Sequence, residues 1–454
     1  MSTPSCHRPP LHAKFEPTRS ARRLSVHRAL SLSLLCLGAL ATLAAGQEMT
    51  GFDRQRAHLM LRAAEQDLRD HYYDTTFHGL DLRTLFDSTD ARIAAAHSND
   101  EAFLSIAVTL GALRDSHTHF FPPRRNAVVQ YGWNLGIVGD SCYILKVRPE
   151  NDAAAQRVKP GDLVLGVDQF AVNRADRWDL EYLYYALAPR ATVRLTLQSP
   201  GDTVRSVVVQ SKITPHPRIM DLTQGNDIWQ LIREEQNWAR ANRSVLWELG
   251  SEVLVWRLPN FLADDREIDR WVKRAQGFKA LVLDLRGNPG GLETTLLRLA
   301  GNLVGADTFG VRRTRDKTES LRTRPGPRFT GTVVAVVDAQ SASAAEMLAY
   351  LLQLRKRGSV VGDRTAGAVM ESKGYEHRVG VDVVVFYYTA MTVADLVFSD
   401  GTRLEGRGVM PDEIVLPSGA DLASGRDPAL ARAITLAGYA ITPQAAGRLF
   451  PVEE

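Results

Sequence analysis

Cysteine is almost absent. The 454-residue chain has three, and Cys6 and Cys36 fall in the first 46 residues, which leaves Cys142 alone in the remainder. A single cysteine can neither close an internal disulfide nor build a Cys-rich metal site, so a disulfide-stapled scaffold is excluded. Cys142 stands in the apolar run Ser-Cys-Tyr-Ile-Leu, where a buried structural thiol is expected rather than a nucleophile. An excess of charge of one sign is lacking too. There are 55 Lys and Arg against 52 Asp and Glu, and six of those bases with one acid lie in residues 1–46, so the rest carries 49 bases against 51 acids. That balance offers no phosphate-binding face, and nucleic acid is not expected as a partner. Long apolar runs are missing save one, the 17 residues Ala29–Ala45, preceded by a basic stretch ending at Arg28. With the small residues Ala44, Ala45 and Gly46 at its end, the segment reads as an export leader over 1–46. Left uncleaved, it would be the chain's contact with a membrane.

What is present is globular in kind, with 44% hydrophobic and 24% charged residues, and the length suggests two to four domains. Residues 47–122 carry apolar positions at helical spacing, and Pro122-Pro123 closes that region. Residues 123–213 alternate in strand fashion, with short helices at Ala153–Val158 and Arg177–Ala188 and Gly-Asp or Pro-Gly turns between. Thr214–Arg243 is polar and amphipathic, and a connecting helix is expected there. The pattern over 214–440 becomes alternating strands and helices. Runs such as Ala280-Leu-Val-Leu-Asp-Leu285 are apolar on both faces, which fits a sheet covered by helices on each side. Residues 441–454 read as a C-terminal tail. The expected class is therefore multidomain α/β: a helical N-terminal region, a small β-rich domain and an α/β core.

Four distant segments carry groups suited to chemistry. Asp115-Ser116-His117-Thr-His119 places a hydroxyl beside an imidazole, the usual general base. The two histidines form at most half of a metal site, with no further ligand at zinc-like spacing, so neither metal nor cofactor is expected. Leu283-Asp-Leu-Arg-Gly-Asn-Pro-Gly290-Gly291 follows a buried strand. Glycines there let the backbone turn and aim N–H groups into a cleft. The segment has neither fingerprint of a nucleotide-binding loop. Ser341-Ala-Ser343-Ala-Ala-Glu346 sits between a strand and a helix. Locally, Ser343 is read most simply as a helix cap with Glu346 completing a capping box, although a helix N-terminus also suits a nucleophile. Finally, Glu405 lies in the Gly-rich loop Asp400–Asp412, where it would either orient a polar group or solvate a turn.

Together these segments, with Val361-Gly-Asp-Arg-Thr-Ala-Gly367, resemble the tail-specific, or C-terminal processing, serine protease family, and in particular its tricorn-like branch. The strand-rich middle segment resembles a PDZ domain, with Val158-Lys-Pro-Gly-Asp-Leu-Val-Leu-Gly-Val-Asp168 as the matching turn and strand. Leu135-Gly136-Ile137 fall where such domains carry a carboxylate-binding loop. The resemblance implies a protease core of the ClpP/crotonase-like kind. One branch of the family uses a Ser–Lys dyad, with the lysine about 25 residues past the nucleophile. Counting from Ser343 reaches Ala368, and Lys373 lies five residues further on. The other branch uses a serine nucleophile, a histidine base, a serine beside it and a glutamate, which here match Ser343, His117, Ser116 and Glu405.

The resemblance thus implies an exported, periplasmic or extracellular serine endopeptidase acting on unstructured peptides or protein C-terminal regions. The N–H groups of Ala344 and of Gly290 or Gly291 would form the oxyanion hole, and Leu135, Gly136 and Ile137 would bind peptide. Two other classes remain: a catalytically inactive peptide-binding module, motivated by the missing lysine, and a small-ligand-binding protein, since the retinoid-binding proteins of the eye share this fold.

Overall fold

The computed structural model describes residues 49–125, 127–215, 242–380 and 384–450. The expected leader and nearly all of the expected connecting helix lie outside those residues. Three helices open the described chain: α1 (Gly51–His71), α2 (Leu82–Ala95) and α3 (Asn99–Gly111). Thr50, Asp81 and Ser98 start them, each side chain accepting a first-turn N–H. Leu61, Leu68, Phe86, Ile93, Ile106 and Leu110 fill their shared interior together with Val379, Tyr387 and Met391, which belong to a hairpin far along the chain. The helical region is therefore not a core of its own: three short amphipathic helices leave one face uncovered, and the hairpin covers it.

The β-rich unit follows β1 (His119–Phe121). It comprises β2 (Ala127–Gln130), β3 (Trp133–Val138), β4 (Ser141–Val147), α4 (Asp152–Ala155), β5 (Leu163–Val167), β6 (Phe170–Ala171), α5 (Arg177–Tyr182, continued as a wider turn to Leu187), β7 (Thr192–Gln198), β8 (Val204–Gln210) and β9 (Lys212–Pro215). The main sheet runs β3-β4-β5-β7-β8, and β2 pairs with β9, so Thr214 and Pro215 end a strand where a helix was expected to begin. Cys142 is wholly buried in this core, and burial pushes its thiol up to about 12. Leu135, Gly136 and Ile137 do not form a loop. They lie within the edge strand β3, opposite Ile144, Tyr143 and Cys142. Leu180, Leu183 and Leu187, on α5 and its continuation, are packed into the core, because their helix lies flat on the sheet.

The α/β core is built on β10 (Val245–Leu249), β11 (Val253–Arg257), α6 (Asp265–Ala275), β12 (Ala280–Asp284), α7 (Glu293–Val304), β13 (Thr308–Thr314), β14 (Thr318–Arg322), β15 (Thr332–Val337), α8 (Ala344–Leu354), β16 (Ser359–Gly362), β17 (Met370–Val379), β18 (Val385–Phe398), β19 (Glu413–Ile414), α9 (Gly419–Ser424), α10 (Pro428–Leu436) and α11 (Pro443–Ala446). The central sheet runs β10-β11-β12-β15-β16-β19 and is parallel from β11 onward. Alternate residues divide between its faces. Leu281, Leu283, Val333 and Ala335 meet α6, α7 and α8, whereas Ala280, Val282, Val334 and Val336 meet α10 and the segment after it. Ala446 and Leu449 are part of that second layer, so residues 441–450 are a packed element and not the free tail expected. A second sheet runs β1-β18-β13-β14, with β17 on β18. Strand β1 joins it through His119↔Ala390 and Phe121↔Tyr388, which ties the end of the helical region to the α/β core.

Candidate active site

Three loops leave the C-terminal ends of β12, β15 and β16, the edge at which parallel sheets present their sites. The loop after β15 ends at Ser343, the residue before α8. Its backbone is strained, with φ +53° and ψ −118°, a conformation that costs of order 1–3 kcal/mol for a residue with a side chain. Its surroundings impose it. Ser343 N–H donates to Ala368 O at 2.9 Å and to Glu346 Oε2 at 3.1 Å. Glu346 is fully buried and also accepts from Thr365 Oγ1 at 2.5 Å, Gly367 N at 2.7 Å and Ala368 N at 2.9 Å. Burial pushes this carboxyl up to about 7 against those four donors. Glu346 thus joins the serine's backbone to the loop after β16. Sequence reasoning read it only as a capping partner; its burial was not visible in a Ser-x-x-Glu pattern.

The glycine loop after β12 approaches Ser343 closely. A Cβ on Gly290 would lie 2.6 Å from Ser343 Cβ and 3.0 Å from Ala344 N, and its φ is +95°. Contact and conformation both require glycine. Its N–H, however, donates to Asn288 Oδ1 at 2.8 Å, and its carbonyl accepts from Phe261 N at 2.8 Å. Asn288 is buried and held in turn by Leu258 O at 2.8 Å. Gly290 is therefore not an available donor, which corrects the expectation for that residue. Gly291 N and Ala344 N, the first N–H of α8, have no hydrogen-bond acceptor among the described residues.

His117 comes from the turn that leads into β1 of the second sheet. Its Nδ1 is 2.7 Å from Ser116 Oγ, which lies 2.9 Å from Glu405 Oε2. Glu405 also accepts from Ser116 N at 2.9 Å and Val369 N at 2.7 Å. A hydroxyl that donates to a carboxylate must accept from the ring, so Nδ1 carries the proton and Nε2 is left with its lone pair. Burial pushes His117 down to about 4 and outweighs the opposing pull of Asp115. Glu405 is raised by burial, with its three hydrogen bonds opposing. Asp115, absent from the sequence-derived site although its motif was recognised, anchors the turn: it accepts from His117 N (2.9 Å), Thr118 N (2.7 Å), Tyr72 Oη (2.8 Å) and Thr392 Oγ1 (2.7 Å).

Segment 365–369 bridges the two halves. Ala368 O holds Ser343 N, Val369 N holds Glu405, and Gly406 N donates to Gly367 O at 2.8 Å. Among the described residues no hydrogen bond joins the Ser343 hydroxyl to the His117 ring. Lys373 is exposed on β17 opposite Met391. His119 Nε2 lies 2.9 Å from Ser116 O, so the two histidines engage different atoms rather than one metal position.

Known proteins share this arrangement of elements. The chain is 26% identical over 391 residues to a putative tricorn protease homolog 2 of Streptomyces coelicolor, spanning 82% of this chain but 31% of that protein. It is 26% identical over 418 residues to a carboxyl-terminal-processing protease of Synechocystis sp., covering 88% of this chain and 90% of the relative. Among solved structures, mature CPAF superposes with a TM-score of 0.61 at 15% identity, over 82% of this chain and 94% of that one. The photosystem II D1 C-terminal processing protease gives 0.50 at 20% identity, over 87% and 99%. The family description "Peptidase family S41" matches residues 252–415, which hold Gly290, Gly291, Ser343, Ala344 and Glu405. Over that third of the chain it is thus similar to a family of peptidases, and its relatives along most of its length are named as processing proteases.

Proposed function

We propose that the protein is an exported endopeptidase that cleaves unstructured peptides or protein C-terminal regions. The observation carrying this reading is the hydrogen-bonded series Glu405–Ser116–His117, which leaves a neutral imidazole with Nε2 free. In this reading Ser343 Oγ attacks the scissile carbonyl as Nε2 takes its proton, and the imidazolium returns that proton to the leaving amine. Water then attacks the acyl-enzyme by the same route reversed. Glu405, through Ser116, fixes the ring and stabilises its charged form. Gly291 N and Ala344 N receive the oxyanion; losing one such donor typically costs about 10²–10³ in kcat. Substrate closes the Ser343–His117 pair, as catalytic hydrogen bonds often tighten only in the complex. The β-rich unit acts as a PDZ-like module that accepts peptide along the outer edge of β3, the terminal strand of its sheet.

The test is cleavage of unfolded casein by the full chain. Ser343→Ala and His117→Ala abolish it, and Lys373→Ala retains most of it. Full activity in His117→Ala with loss in Lys373→Ala would replace this mechanism by a displaced Ser–Lys dyad. Absence of cleavage in the unmodified protein would favour the binding-module reading. N-terminal sequencing of the exported protein should begin near Gln47; a start at Met1 or Ser2 would point to an uncleaved anchor.

A further inference from the structure

The outer face of the β17–β18 hairpin carries aromatic surface that the mechanism above leaves unused. Pairing places His119, Ala390 and Gly374 in one row across β1, β18 and β17, and Phe121, Tyr388 and Glu376 in the next. Phe386, opposite Arg378, continues the same face, since side chains two apart on a strand point the same way. The alternate residues Phe120, Tyr387 and Thr389 are buried against the helices. On the outer face, Phe386 is 54% exposed, Tyr388 45% and Phe121 42%, and Trp178 from α5 is 56% exposed beside them. Trp178 and Phe121 both approach the His119 ring, at centroid separations of 5.7 and 6.2 Å. The floor between is low: a Cβ on Gly374 would meet nothing within 4 Å. Neighbouring half-exposed aromatics of this size mark a contact surface, since each can bury about 150–250 Å².

The position of this face identifies its occupant. Its innermost residue, His119, is held at Ser116 O, and Ser116 Oγ holds His117, so the aromatic row is continuous with the catalytic histidine. A chain lying on it would be the same polypeptide that reaches Ser343. We propose that Trp178, Phe121, Tyr388 and Phe386 form an exosite for an apolar segment of the polypeptide substrate, bound away from the scissile bond. This rests on the peptidase reading and adds a substrate requirement to it: unfolded chains with an aromatic or aliphatic block are preferred over polar chains of equal length.

The test uses the full chain carrying Ser343→Ala, so that binding is read without turnover. The probes are two fluorescein-labelled 15-residue peptides, one with a Leu-Phe-Leu-Phe block and one with Ser and Gly in its place. In a Trp178→Ser, Tyr388→Thr, Phe386→Thr variant, Kd for the apolar peptide should weaken at least about tenfold, as for loss of central aromatic anchors, while the polar peptide is unaffected. Single Phe386→Thr, at the far end of the row, should give a smaller loss of the same kind and guards against misfolding of the triple variant. With Ser343 restored, the same changes should raise KM for the apolar peptide and leave kcat within about twofold, because a remote contact strengthens ground and transition states alike. Equal Kd for the apolar peptide with and without the substitutions would overturn the exosite. So would a concentration-dependent dimer, seen by sedimentation, that the substitutions abolish without changing peptide binding, since the face would then belong to a second copy. Aromatic-dependent binding without any cleavage would instead refute the peptidase reading and leave the surface intact.

Discussion

In the proposed mechanism, the depressed basicity of His117 sets the acid limit of the reaction. A solvated imidazole titrates near 6.5, whereas burial places this ring at about 4. At 1.36 kcal/mol per pH unit, that displacement corresponds to about 3 kcal/mol in favour of the neutral ring. Log(kcat/KM) for an uncharged peptide should therefore stay flat from neutral pH to about 5 and reach unit slope only below about 4. Glu405, raised by burial, titrates on the same side, and Glu405→Gln separates the two because it removes one ionisation and keeps the ring. The same shift has a consequence for folding. The unfolded chain protonates this histidine below about 6.5 and the folded one only near 4, so its contribution to stability is full above 6.5 and is lost as pH falls through that window. Urea unfolding at pH 7 and pH 4.5 should show a drop that His117→Ala reduces by about 2 kcal/mol. An acid limb centred near 6.5 in the unmodified protein would refute the reasoning, because it would mean that the ring is hydrated or that its charged form is already stabilised before substrate arrives.

Gly290→Ala should reduce kcat by at least about a hundredfold with little change in far-ultraviolet circular dichroism, because the new methyl would lie 2.6 Å from Ser343 Cβ and displace the nucleophile or the glycine loop. Glu346→Ala leaves the Gly367 and Ala368 N–H groups and the Thr365 hydroxyl without their acceptor, while Ser343 N–H keeps Ala368 O; at about 1–3 kcal/mol per unsatisfied group and far from additive, the expected loss is about 3–5 kcal/mol by urea unfolding. If β3 recruits chain ends, peptides with a free apolar C-terminus should have lower KM than their amidated forms, and equal values would remove that role.

Much of the fold is legible in local pattern. Ala280–Leu285 is apolar at every side-chain position but one, so it must be covered on both faces, and Ser343 stands where strand alternation gives way to helical spacing. Those features depend on neighbours a few residues apart. The partners of the site do not. Ser116 and Glu405 are 289 residues apart, and motif resemblance could pair them without showing that one hydroxyl joins ring to carboxylate. Their meeting depends on β1 adding to β18, which in turn depends on the helical region covering the hairpin. The assignment within the glycine pair was equally hidden, because both glycines satisfy the same turn and only the buried Asn288 amide decides which N–H is taken. The resemblance put Leu135–Ile137 at a binding loop, whereas the strand alternation of that region and its ladder pairing with β4 make it a strand, and residues 441–450 read as a tail until the second face of the central sheet requires cover. Sequence by itself determined the main strands and helices and the chemically apt loops, because period and residue type act locally. Tertiary structure alone decided which donor is free and which histidine nitrogen is left as base, because these depend on single hydrogen bonds between groups that only packing brings within 3 Å.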